Sequence, residues 1–198
     1  AIAQKHSSYK MKSFSVGFSK DAPDLVNARA VAEHIGTDHH ELIISTEDAL
    51  VALDDVIYHI ETFDVTTIRA SVPMYLLAQK MSSMGIKCAL SGEGSDEIFG
   101  GYLYFHKSPT YDEFEEETKR LVTDLCYFDV LRADRCTAAF GLELRVPFLD
   151  KELVKYVLSI PGRLRKYSEL EKYVLRKSFE NDYLPNEILM RKKEGFSD

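Results

Sequence analysis

The segment Ile86-Lys87-Cys88-Ala89-Leu90 runs directly into Ser91-Gly92-Glu93-Gly94-Ser95-Asp96-Glu97, and the reading of this stretch decides the fold. Its first five residues are mostly apolar, which predicts a buried parallel strand covered on both faces. A tight glycine turn follows and opens a helix at Asp96-Glu97-Ile98-Phe99. Backbone N–H groups at such a helix start attract anions. The same turn carries Glu93, Asp96 and Glu97, which would repel a polyphosphate unless a divalent metal stood between them. Carboxylates together with phosphate oxygens form the usual Mg²⁺ shell. Asp96 and Glu97 alone could simply complement a helix N-terminus, worth ~0.3–1 kcal/mol. The third acid, the two glycines and the strand directly upstream favour a functional site for the group.

Upstream, Ser13-Phe14-Ser15-Val16-Gly17-Phe18 alternates polar and apolar residues as a strand does. Asp21-Ala22-Pro23-Asp24 then offers a helix start, Leu25, Ala28, Val31, Ala32 and Ile35 recur at helical spacing, and Gly36 is a stop. His39 to Ile44 predicts a second strand, and Ser45 with Asp48 resembles a capping pair opening a helix through about Ile60. A third helix is expected from Ser71 to Met84, with Pro73 in its first turn and Gly85 ending it. Beyond Ser95 the pattern reads as wholly helical: Tyr111 to Leu125, Phe128 to Ala139, Lys151 to Leu158, Ser168 to Asn181, and Asn186 to Met190. Alternating strands and helices imply an α/β fold with one mostly parallel sheet and ligands beyond the carboxyl ends of its strands. The helical second half is expected to pack against one side.

The chain has 198 residues, enough for one domain with a real core, and its apolar runs are far too short to span a bilayer. A net charge of −7 argues against a nucleic-acid surface and requires local cations around any phosphorylated ligand. Cys88, Cys126 and Cys136 lack C-x-x-C spacing and read as reduced thiols. A soluble cytoplasmic protein without a membrane or nucleic-acid partner is the expectation. His39-His40 suggests metal binding, but adjacent strand residues point to opposite faces, so both read as structural. The run Ala1 to His6 reads as the end of a helix, and the chain is expected to be a fragment of something longer.

The stretch Ser91-Gly92-Glu93-Gly94-Ser95-Asp96-Glu97-Ile98-Phe99-Gly100-Gly101-Tyr102-Leu103-Tyr104-Phe105-His106-Lys107 resembles the central motif of the glutamine-hydrolysing asparagine synthetase family. Three further stretches agree in order: Asp64-Val65-Thr66-Thr67-Ile68-Arg69-Ala70-Ser71, Phe140 to Asp150, and Arg191 to Asp198. The resemblance covers essentially residues 1–198 and implies the carboxyl-terminal synthetase domain, of the adenine nucleotide alpha hydrolase-like (ATP pyrophosphatase) type. It implies adenylation of the aspartate side chain by MgATP, release of pyrophosphate, and attack of ammonia on β-aspartyl-AMP. By motif, Val16, Ser91 and Gly92 would contact the nucleotide and Asp96 would hold Mg²⁺. Glu93 would support formation and breakdown of the intermediate as a base, with Lys193 and Arg69 neutralising charge on the phosphates. Glu97, Asp129 and Arg132 would place the substrate, although Asp129 and Arg132 also fit a plain i,i+3 surface pair worth ~0.2–0.5 kcal/mol. Arg145 fits a structural ion-pair partner equally well.

The resemblance also implies ammonia supplied from glutamine by an N-terminal glutaminase domain, and it is compatible with a homodimer. Neither that domain nor the Ser-Gly-Gly-x-Asp-Ser pyrophosphate loop is in this sequence. These residues alone are therefore expected to be inactive in adenylation, and the strand preceding that loop is expected to be central to the sheet. Two other readings compete: an interaction module that keeps the fold without chemistry, and a β-lactam-forming synthetase. Retention of Glu93, Asp96, Arg69 and Lys193 opposes the first, and Tyr102 to Lys107 favours asparagine over the second.

Overall fold

A computed structural model describes residues 1–166, 170–180 and 183–193 and has an α/β architecture with small parallel sheets. Helix α1 (Ile2–His6) precedes strand β1 (Lys12–Gly17), helix α2 (Pro23–Ile35) and strand β2 (Asp38–Ile43). The two strands pair in parallel from Lys12 against Asp38 to Gly17 against Ile43. Alternation along them separates the histidines. His39 bonds to Ser13 Oγ at 2.8 Å and Ser15 Oγ at 3.1 Å, whereas His40 stacks on Phe14 with ring centroids 5.2 Å apart. Ser45 and Asp48 form the expected capping box. The single expected helix is divided into α3 (Thr46–Val51) and α4 (Leu53–Ile60), with Ala52 closing one and opening the other.

The third helix begins earlier than Ser71. Helix α5 spans Val65–Ser83, because Asp64 accepts the Thr67 N–H at 2.7 Å and caps it. Pro73 therefore lies in the helix interior, where its ring nitrogen has no N–H to give to the ladder. The strand expected at residues 86–90 is β3 (Cys88–Leu90), and it is not buried on both faces: Cys88 is exposed and Leu90 is 55% exposed.

After β3 come α6 (Ser95–Phe99), α7 (Tyr111–Asp124), α8 (Asp129–Ala138) and a fourth strand, β4 (Glu143–Arg145). This strand corrects the wholly helical reading of the second half. It pairs in parallel with β3, so that the described residues form two two-stranded sheets in place of one. Three residues are too few to show a period of two against a period of 3.6, and only the pairing with β3 makes them a strand. Helices α9 (Lys151–Ser159), α10 (Gly162–Arg165), α11 (Tyr173–Ser178) and α12 (Asn186–Leu189) complete the order. The expected helix ends at Ser168 and Asn181, and the motif residues 194–198, lie outside the described residues.

Three buried clusters hold these elements. Val56, Ile60, Val72, Tyr75 and Cys136 join α4, α5 and α8. Ala78, Met81 and Leu142 pack with Phe14 of β1 and Ala89 of β3, tying both sheets to α5. Ile98, Phe99 and Val157 join α6 to α9, with Phe148 and Leu175 against them. Among the described residues no helix is long and apolar enough to cross a membrane.

Helix α5 contributes to two of the three clusters, so loss of its cap should be felt globally. Asp64→Ala is expected to cost about 1 kcal/mol. Urea denaturation should show a lower midpoint with an unchanged slope; an unchanged midpoint would mean that the cap is dispensable.

Candidate functional site

The acidic turn is held from both ends. The Ser91 N–H continues the β3–β4 ladder by bonding to the Arg145 carbonyl at 2.9 Å. At Gly94 the backbone turns left-handed, with φ of 89°, and a Cβ there would lie 2.2 Å from Leu149 Cδ2. Leu149 sits in the short 3-10 helix Pro147–Leu149, so the Phe140 to Asp150 stretch packs directly onto the turn. Past α6, the Gly101 N–H bonds to the Asp96 carbonyl at 2.7 Å. A Cβ on Gly101 would lie 1.8 Å from Asp96 Oδ1, so only glycine leaves room for that carboxylate.

The three acids of the turn face three different partners. Glu93 Oε2 stands 3.5 Å from Arg132 Nη2, and the same nitrogen lies 2.7 Å from Asp129 Oδ1. The Glu93 and Arg132 side chains are only 15% and 14% exposed, so the Asp129–Arg132 pair is not a solvated surface pair. Arg132 Nε is buried with no hydrogen-bond partner among the described residues. Glu97, 3% exposed, accepts a short hydrogen bond from the Tyr102 hydroxyl. Asp96 meets two ammonium groups: Lys172 Nζ at 3.2 Å and Lys193 Nζ at 3.3 Å from both carboxylate oxygens.

Burial pushes the Glu93 carboxyl above the ordinary carboxylate range; Arg132 opposes the shift, and Asp129 and Glu97 reinforce it. Glu97 is raised as well, first by burial and against the pull of the Tyr102 hydrogen bond. The Tyr102 hydroxyl is pushed far up by burial and by its bond to Glu97. Two buried carboxyls that resist ionisation, beside a third held by cations, form the kind of pattern in which acid and base roles are divided.

Lys172 and Lys193, the two lysines that meet Asp96, also line a cavity of about 720 Å³ between residues 1–3, β3, the 3-10 helix Pro147–Leu149, α11 and α12. Leu90, Phe148 and Leu175 supply an apolar wall, and Lys172, Arg176 and Lys193 a cationic one. The local cations that an acidic chain would need for a phosphorylated ligand are thus present. The structure brings Glu93, Asp96, Glu97, Asp129, Arg132 and Lys193 into one region, with Ser91 and Gly92 on the connecting turn. Val16 stands in the other sheet, half-buried and paired with Leu42, and Arg69 is exposed in the second turn of α5. Arg145 pairs with Glu143 at 2.7 Å on the surface.

Sequence reasoning missed Lys172 and Tyr102. Tyr102 lay within the quoted motif but carried no charge to draw attention. Lys172 falls inside the helix expected from Ser168 to Asn181, and no spacing links it to Asp96.

A family model described as asparagine synthase matches residues 1–111 and 106–198. A glutamine-hydrolyzing asparagine synthetase of Asparagus officinalis is 53% identical over 196 residues, which cover 96% of this chain and 33% of that protein. Asparagine synthetase 3 of Arabidopsis thaliana is 52% identical over 196 residues, with 96% and 34% covered, and the nodule enzyme of Pisum sativum is 52% identical over 203 residues, with 99% and 34% covered. The chain spans about a third of the length of these relatives.

The raised Glu97 carboxyl has a signed consequence for stability. A group whose folded-state pKa exceeds its unfolded value of about 4.3 stabilises fully below that value and loses the contribution as pH rises through the folded pKa. Ionised Glu97 is therefore a liability at neutral pH. Glu97→Gln is expected to raise the melting temperature at pH 7, with the gain shrinking toward pH 4; a gain independent of pH would show that ionisation is not its cause.

Proposed function

This chain belongs to the asparagine synthase family, and we propose that it is the synthetase part of an enzyme that converts aspartate to asparagine with ATP through β-aspartyl-AMP. The observation that carries the reading is Asp96, paired with Lys172 and Lys193, which line the cavity, on the same turn as Glu93 of the Glu93–Arg132–Asp129 group. The residues present fit a magnesium-bound polyphosphate. Gly101 leaves room for the Asp96 carboxylate, which the two lysines already contact, and the lysines and Arg176 offer cations. Mg²⁺ held by Asp96 would neutralise phosphate charge.

Ser91 and Gly92 would contact the nucleotide from the end of β3, and Val16 would line the adenine side. Lys193 and Arg69 would offset charge developing at phosphorus. Arg132 has a buried donor with no partner among the described residues, which suits a substrate carboxylate, and Asp129 holds the guanidinium in place. Glu97, bonded to Tyr102, completes the proposed substrate side. In the second step the ammonia lone pair attacks the acyl carbon, AMP leaves with the electrons of the C–O bond, and Glu93 accepts the released N–H proton. Its raised pKa brings a carboxylate closer to the range of an effective base.

The fold is proposed to be of the adenine nucleotide alpha hydrolase-like type. Ammonia would come from glutamine, as the names of the relatives describe for those enzymes. The cytoplasm suits the three free thiols. A module without chemistry would have no use for buried Glu93 and Glu97 carboxyls that burden the fold.

In the complete protein, aspartate-dependent pyrophosphate release is expected, and Glu93→Ala should lower it by ~10²-fold or more. Near-normal release from that variant would remove Glu93 from the role. Absence of release from the unsubstituted protein would overturn the adenylation reading itself.

A further inference from the structure

Lys172 reaches Asp96 from an unusual backbone. Its φ of 54° is left-handed, a conformation that is costly for a residue with a Cβ and persists only where the surroundings enforce it. What enforces it is the preceding residue. Glu171 is 5% exposed, its Oε1 lies 2.8 Å from His106 Nε2, and its carbonyl accepts the Arg176 Nε–H at 2.7 Å. His106 belongs to the 3-10 helix Leu103–Lys107, the continuation of the segment that carries Asp96. A second tie runs beside the first: Lys166 Nζ donates to the Ser108 carbonyl at 2.8 Å. The carboxylate and the ammonium that meet at the site are thus both referred to one piece of chain, 95–108.

We infer that Glu171 and His106 are positioning residues, which clamp the turn at Lys172 so that its ammonium stands on Asp96 at the cationic wall of the cavity. Without the clamp the backbone at Lys172 would relax toward negative φ and swing the side chain away from Asp96. Lys193 arrives from a different segment, which is joined to the clamp at one remove through Arg176, a donor to both the Glu171 and the Leu189 carbonyls. The geometric half stands without any assumption about the ligand; the consequence for catalysis rests on the proposed use of this site for MgATP.

The test uses the complete protein with Glu171→Ala, Glu171→Gln, His106→Ala and Lys172→Ala, and two measurements. In the first, reductive methylation of lysines is followed by mass spectrometry. Glu171→Ala and His106→Ala are expected to speed labelling of Lys172 by roughly tenfold and that of Lys193 by less, as for loss of one charge-assisted contact at Lys172. Unchanged labelling of Lys172 in both variants overturns the clamp. In the second, pyrophosphate release is measured against MgATP concentration. Glu171→Ala should raise KM about tenfold with kcat nearly kept, Glu171→Gln should stay close to the unsubstituted protein because its amide oxygen can still accept from His106, and adding Glu171→Ala to Lys172→Ala should cost nothing more. Additive losses in that double variant, or a fall in kcat alone, would show that Glu171 acts other than through Lys172. A protein with no pyrophosphate release at all would sink the nucleotide reading, and the labelling result would then decide the clamp by itself.

Discussion

The pairing of β3 with β4 is the constraint on which the site depends. It is a short contact, three residues on each side, extended by the Ser91 N–H to the Arg145 carbonyl. That contact joins two parts of the chain more than fifty positions apart and sets the direction in which the chain leaves the strand. The left-handed Gly94 against Leu149 then fixes the turn, because no other residue admits both the φ and the close approach. Glu93, Asp96 and Glu97 take different directions from this one turn. The divergence is what allows three carboxylates within five residues to find separate partners, Arg132, two lysines and Tyr102 respectively.

Electrostatically the arrangement is a compromise between fold and site. A chain with a net charge of −7 gathers Lys172, Arg176 and Lys193 along one cavity wall, where a phosphorylated ligand would otherwise be repelled. It also buries Glu93 and Glu97, whose ionised forms lose solvation. Arg132 offsets part of that loss for Glu93, while its own Nε has no hydrogen-bond partner among the described residues. A structure selected for stability alone would fill these positions with neutral side chains.

Features with a local cause were legible in the sequence. The capping box at Ser45 and Asp48, the stop at Gly36 and the opening of α2 at Pro23 all follow from hydrogen bonds within a few residues. Features settled by distant contacts were not. The start of α5 was placed at Ser71 because Pro73 suits a first turn, whereas the cap at Asp64 together with burial of Val72, Tyr75 and Ala78 carries the helix through the proline. Strand β4 exists only through β3. The acidic turn was recognisable from its residue types, since glycines and carboxylates in that order are locally informative. Lys172 was not, because its meeting with Asp96 depends on a left-handed backbone and a buried Glu171 that no spacing rule encodes.

The two small sheets share no ladder hydrogen bond among the described residues, and side chains join them instead. Phe14 of β1 and Ala89 of β3 pack on the same cluster of Ala78, Met81 and Leu142, and Ala78 and Met81 belong to α5. Because packed interiors are dense and transmit displacement, a shift of either strand along α5 would open a void or force an overlap in that cluster. Leu142 lies immediately before β4, so the residue that closes the cluster also sets the register of the strand pair beneath the acidic turn. Apolar contact thus does for the two sheets what hydrogen bonding does within each. The carboxyl ends of β1 and β3 are thereby held in one frame, as an α/β site assembled from separate strands requires.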